Sequence, residues 1–568
     1  MKTSFPTRQV MSRDSPERSV SSTREDFVRD GDIASPGFEI EPSSATDPME
    51  RQAAGSLWRF VLGIDTQKRL LSAAEVAALG DPFTQKVLLQ GVEPKTLREL
   101  IDAVAAIDNP KYSDRRMFLV AEGAQARLLD DRFEFNGRLV VVWQGADSVA
   151  PDMMLSTVPV ADDPRSLLQL AAWSETTRSF HFFERDRKSS RWMWAGHSFH
   201  ALKAPSRGRG PFDSHINGSL VMKELKEPWN HWNSSAASIP PEAIPRDSEL
   251  ITDPLFASIR SADELEPIVR TAIRRWTTSR FDADTDGGNL NSLRDYLRQV
   301  LWCTSVNLVS STRVIGQPVE GVYPLPSSFF YDFDALAFLG DNIDESQRLL
   351  PVGRFEVDAA LYENGVAAFG LAVGDDSDAK RSVKGDTHFA FLVPERAFED
   401  LAVLRELVDR EAVDARTALC LLFVDFSNPV FSPRRGALLA YAIDSVALGH
   451  GGMDFKSKFV ARVRQSSHGP ESPEAEFLDL VDDPDILARC RAALDALDAA
   501  LRQKLSTKEG VAEILALADS RRFAFADRRS LAEFRSTMAF GPNPIKHLAM
   551  GGDGSVFLKS DDSGEGEI

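Results

Sequence analysis

The sequence predicts an α+β protein, and three observations carry that expectation. Apolar residues recur at helical spacing over residues 57–107 and again over 474–519. Between residues 117 and 199 they come instead in short β-like runs, separated by Gly, Asp and Asn turns. Helices and strands are therefore grouped in blocks rather than alternated, which is the α+β pattern and not that of a parallel βαβ sheet.

Residues 1–55 are polar, Ser-rich and mixed in charge, and the composition predicts disorder. Ser72-Ala-Ala-Glu75 reads as a capping box, and Gly80-Asp-Pro82 ends the helix that it starts. A second helix is expected over about 95–107, with Leu97, Leu100, Ile101, Val104 and Ile107 on one stripe. The runs 117–121, 139–143 and 180–183 read as strands of a small β-rich module. A Ser- and Pro-containing linker follows, and Ser261-Ala-Asp-Glu264 is placed to cap a helix carrying Leu265, Ile268, Val269, Ile273 and Trp276. Another helix is expected over about 290–305, then short apolar runs with turns over 320–395, then a helix over 398–408. Residues 418–425 read as a buried strand or helix that breaks at Asn428-Pro429. Helices with a cap at Ser506 fill the C-terminal end. These readings divide the chain into a disordered 1–55, a helical hairpin with a β-rich domain at 56–235, a linker at 236–255, a mixed α/β domain at 256–470, a helical region at 471–550 and a disordered acidic tail at 551–568.

The bulk numbers exclude several functions. A chain of 568 residues is long enough for several buried cores. Its formal charge of −19 predicts no binding to nucleic acid or to anionic lipid, since both need a basic surface. The three cysteines, Cys303, Cys420 and Cys490, lie far apart, which removes a thiol-based zinc ribbon, an iron–sulfur cluster and a disulfide framework. No apolar run of membrane-spanning or signal-peptide length is present, so no membrane insertion and a cytoplasmic location are expected. Neither the phosphate-cradling loop G-x-x-x-x-G-K-[ST] nor the nucleophile elbow G-x-S-x-G occurs. Asp282-Ala-Asp-Thr-Asp-Gly-Gly288 has the alternating carboxylates of a calcium loop, but Leu293 stands where the bidentate Glu belongs, and a polar turn is expected there.

The most specific signal lies in residues 208–225. A c-type haem site needs C-x-x-C-H, with two thiols bonding the porphyrin and the histidine ligating iron. Here Pro211 and Ser214 occupy the cysteine positions and His215 keeps its place. The flanks Gly208 to Gly210, Asn217-Gly218 and Val221-Met-Lys-Glu-Leu225, with Pro228, Trp229 and Trp232, resemble those of a group of bacterial multidomain c-type cytochromes. The segment 425–432 with Arg434-Arg435 bears a fainter resemblance to the same group. The resemblance implies descent from a haem-attachment segment that no longer makes thioether bonds. Five of the nine histidines (His181, His197, His200, His215 and His231) fall between residues 181 and 231, with Trp192, Trp194 and Trp229 among them and Trp173 and Trp232 just outside.

Three functional readings follow. In the first, the segment is a relic: Pro211 stiffens the loop, Ser214 makes a hydroxyl hydrogen bond, Asn217-Gly218 forms a turn, and no cofactor is expected. The protein would then serve binding or assembly with a protein partner that the sequence does not specify. In the second, haem is held non-covalently with His215 as axial ligand, opposite Met193, His197, His200 or Met222. In the third, His197, His200 and His215 hold a metal with an open position, as in a metal enzyme.

Overall fold

The computed structural model describes residues 56–107, 115–121, 127–129, 132–134, 137–145, 148–220, 246–260, 264–303, 306–309, 321–373, 383–384, 393–529, 539–541, 545 and 547–559. The expected disorder of 1–55, the Ser261 end of the proposed cap and the residues after Leu220 up to 245, Met222 included, lie outside them.

Nine strands form the main sheet: β1 (Trp58–Arg59), β2 (Arg69–Leu70), β3 (Arg115–Ala121), β4 (Gly137–Trp143), β5 (Met153–Thr157), β6 (Leu168–Ser174), β7 (Ser179–Arg185), β8 (Trp192–His197) and β9 (Ile259–Arg260). Their spatial order is β9-β3-β4-β5-β6-β7-β8-β1-β2. Strands β3 to β8 are an antiparallel meander, and β9 and β1 add to its two ends in parallel. The module is thus larger than the small one that the sequence suggested.

Both faces of this sheet are buried, which is why its strands read as nearly continuous apolar runs. On one face Met117, Val141, Leu155, Leu170, Phe183 and Trp194 lie in register across six strands. Helices Ala73–Leu79, Pro82–Lys86 and Leu97–Ala105 contribute to the same core, and Phe83 meets Phe183 and Trp192 edge-on at 5.2 and 4.7 Å. The capping box forms as expected: the Ser72 hydroxyl accepts from the Glu75 amide, and Gly80 closes the helix in the left-handed region. Val142, Met154, Ala171 and Phe182 line the opposite face. The residues after β8 cover it together with helix Leu265–Asp284, from which Arg275 lies 4.4 Å over the Trp173 ring.

The second core runs from Phe281 to Met550 and is mostly helical, with small two- and three-stranded sheets. Three expected boundaries fail here. Leu265, Ile268, Val269, Ala272, Ile273 and Trp276 pack into the sheet core, while Phe281 of the same helix belongs to the second. The helix therefore joins the two cores instead of opening a separate domain at 256. Phe477, Leu480, Leu494 and Leu515 share one core with Leu336 and Leu419, so 471–550 is no separate region. An apolar stripe shows that a helix packs, and not which neighbour it packs on. The third boundary is the tail. Leu548–Met550 and Val556–Leu558 pair as a hairpin, so ordered structure extends past 551.

Other local expectations are also revised. Helix Leu293–Trp302 starts after Leu290, because Asn289 pairs with Ala447 and Leu290 with Val446. Within 320–395, Phe333–Asp344 and Ala359–Phe369 are helices whose glycines obscured the pattern. A Cβ on Gly340 would stand 2.8 Å from Leu349, and one on Gly365 2.9 Å from Leu515, so packing dictates both glycines. Residues 415–423 resolve as helix. Ser506 ends helix Ile486–Leu505, and Thr507 is the residue whose hydroxyl accepts from the Gly510 amide in the next helix. Glu264 makes no side-chain cap.

The calcium-loop residues are helix and hairpin. Asp282 pairs with Arg178 and Arg410, Asp284 accepts from the Tyr296 hydroxyl, and Gly287-Gly288 turn between two short strands with positive φ.

Candidate functional site

Alternation along β7 sends His181 and Phe183 to one face of the sheet and Phe182 to the other. His197 lies opposite His181 in register, beyond an irregularity between Trp194 and Gly196 that re-aims the end of β8. His200 follows in the short helix Ser198–Ala201. The ring centroids of His197 and His200 are 4.0 Å apart, those of His181 and His197 5.6 Å, and Trp194 lies within 6 Å of all three.

Hydrogen bonds fix the proton on each ring. The Trp194 indole donates to His181 Nδ1 at 3.1 Å, so His181 Nε2 carries hydrogen and meets Thr177 Oγ1 at 2.8 Å. His197 Nδ1 accepts from the Phe199 amide at 3.3 Å, and His200 Nδ1 accepts from the His197 amide at 3.2 Å. The last two bonds form a capping box in which imidazoles replace the usual hydroxyl and carboxylate. Burial dominates the acid–base behaviour. It pushes His181 down to about 3, with His200 adding to the effect. It pushes His197 down to about 2 and His200 to about 4, where the nearby cations Lys203 and Arg59 act in the same direction.

His215 belongs to the other face. Its ring lies 5.1 Å from that of Phe182, and the buried Phe212 meets Phe182 edge-on at 5.6 Å. Pro211 is the second residue of the single 3-10 turn Gly210–Phe212, and the Ser214 hydroxyl donates to the Pro211 carbonyl at 3.4 Å. The Gly218 amide closes a turn onto the His215 carbonyl, and Gly218 (φ +79°) passes so near Ser198 that a Cβ would stand 2.5 Å from its carbonyl oxygen. A carbonyl only accepts, so His215 Nδ1 donates to Ser219 O at 2.9 Å and the ring lone pair is on Nε2. Asn217 reaches helix Phe398–Asp409, which gives Ala402 to the sheet core and Leu401 and Val403 to the second: its side-chain amide donates to Glu399 at 2.9 Å, and its backbone carbonyl accepts from the Trp276 indole at 2.8 Å.

The site residues expected from the sequence thus fall into separate groups. His197 and His200 stand together with His181, while His215 packs on Phe182. The metal set of His197, His200 and His215 is therefore not assembled, and among the described residues no three His, Cys, Asp or Glu side chains gather as metal ligands. Met193 shares the face of Phe182 but packs on Trp58 and Phe60 towards the β2 edge. Among the described residues, no helix is long and apolar enough to cross a membrane.

The segment 425–435 is a second polar constellation. Arg435 is fully buried and donates to the carbonyls of Leu301, Val424, Asn428 and Pro429. Asn428 accepts from the Met550 amide at 3.0 Å and donates to the Met550 carbonyl at 2.9 Å. Arg521 donates to the Ser427 and Phe329 carbonyls. These contacts hold backbone, and Asp425 accepts from the Asn428 side chain at 2.7 Å and from the Ser432 hydroxyl at 2.5 Å.

The fold and its sites define an α+β protein of two cores joined by helices Leu265–Asp284 and Phe398–Asp409, the second of which Asn217 holds through Glu399. No family model, no curated protein and no solved structure matches the chain.

Proposed function

We propose that the chain is a non-catalytic binding or assembly protein in which the former haem-attachment segment serves as the joint between two cores. The observation that carries this reading is Asn217, tied at once to Glu399 and to Trp276, with Phe212 filling the sheet core beside it. The cysteines are free and buried, which suits a reducing, cytoplasmic setting. The acidic surface suits a protein partner better than nucleic acid.

A second reading, haem held non-covalently by His215, is favoured by one contact. An axial histidine commonly donates Nδ1–H to a carbonyl and binds iron through Nε2, and His215 donates to Ser219 in that way. The metal-enzyme reading has no such support, since the Nδ1 lone pairs of His197 and His200 are taken by backbone amides.

The test is the absorption spectrum of the full-length protein from haem-supplemented cells, with a pyridine haemochrome assay. A colourless protein is expected. His215→Ala is expected to stay folded and to lose about 1 kcal/mol with the Ser219 hydrogen bond. A Soret band that disappears in His215→Ala would replace the first reading with the second.

A further inference from the structure

We propose that His181, His197 and His200 form an acid-operated latch: proton uptake there releases residues 198–220 from the sheet and loosens the joint to the second core.

The bonding of the three rings leaves no room for a second proton. Each of the three holds its hydrogen on Nε2 and accepts on Nδ1 from a donor that cannot turn away: the Trp194 indole, the Phe199 amide and the His197 amide. A second proton must go to Nδ1. It would turn an acceptor into a donor aimed at another donor, so no ring can gain a proton without breaking its bond.

The surroundings offer no compensation. Arg59 from β1 and Lys203 beyond the short helix face His197 and His200, and the rings face each other. The carboxylate facing His200 is Asp65, and it is already held by Arg59 Nε and by the Val61 amide at 2.8 Å. An imidazolium here would meet cations and neutral rings. The depressed proton affinities of all three agree with this geometry.

Release would travel along the chain. His197 and His200 cap helix Ser198–Ala201, and the His200 carbonyl accepts from the Ser206 hydroxyl at 2.6 Å. The next ordered contacts are Phe212 against Phe182 and Asn217 against Glu399. In the open form each ring would regain its ordinary affinity, near pH 6.5. The closed form is therefore fully favoured above that value and loses ground as pH falls below it.

Amide hydrogen exchange of the full-length protein at pH 7.5 and pH 5.0, corrected for intrinsic rates, tests the latch. Each ring that gains a proton on opening should speed exchange in 198–220 by about 30-fold at pH 5.0. Helix Ile486–Leu505 serves as the internal reference and should not change. The double variant His197→Asn, His200→Asn keeps an acceptor oxygen at each Nδ1 position but does not titrate, and it should lose most of the increment. If the pair does not fold at pH 7.5, His200→Asn alone carries the comparison. Equal exchange in 198–220 at both pH values would overturn the proposal. So would acceleration shared with 486–505, or an undiminished increment in the variant.

Discussion

Arg435→Met is expected to lose about 3–4 kcal/mol of stability, read as a lowered urea midpoint, because it removes the guanidinium bonds to four carbonyls, of which Pro429 keeps a donor in the Cys303 thiol. Methionine fills most of the volume but donates nothing, so the loss isolates the hydrogen bonds from the packing. Arg435→Lys should recover only part of it, since an ammonium cannot reach carbonyls spread around a planar fork. With total stabilities of about 5–15 kcal/mol for a domain, the methionine variant should populate unfolded second core near physiological temperature. An unchanged midpoint would mean that these carbonyls find other donors.

Trp276→Ala should be nearly as costly, at about 3–5 kcal/mol for an emptied aromatic site. Its more telling effect is on cooperativity. Trp276 lies in the sheet core, meets Phe199 edge-on at 4.8 Å and holds the Asn217 carbonyl. Removing it loosens the sheet-core half of the helix that both cores share. Calorimetry should then resolve two transitions, with the sheet core melting first, where the parent shows one. Trp276→Phe keeps most of the contact but drops the indole hydrogen bond, and should cost about 1 kcal/mol without splitting the transition. A single transition in the alanine variant would place the coupling elsewhere.

Local chemistry was legible in the sequence wherever it was short in range. Ser72 and Glu75 cap as their spacing demands, Leu97, Leu100, Ile101 and Val104 bury one helical stripe, and the strands around Val141, Phe182 and Met117 lie where apolar runs placed them. Strands β1 and β2 were not legible, because a two-residue strand has no periodicity and exists only through its partner, β8 for β1 and β1 for β2. The histidines show the same limit. His197 and His200 looked like ligands because imidazoles three apart share a helix face, but that spacing also makes a capping box, and backbone amides took the lone pairs. Which face His215 would occupy depended on the parity of Phe182 against His181, a consequence of strand register and not of composition.

The grip of Asn428 on Met550 spans 122 residues of chain. At ordinary synthesis rates of about 5–20 residues per second, Asn428 emerges on the order of 10 s before its partner exists. Throughout that interval Arg435 and its carbonyls can assemble, but the strand that seals them is missing. The sheet core takes in Ala402 and its Asn217 closes on Glu399, so it is complete once helix Phe398–Asp409 has emerged, well before Met550. The two halves of this protein are therefore completed on different clocks, and the later one spends its waiting time unsealed, when a chaperone or a protease has most access to it.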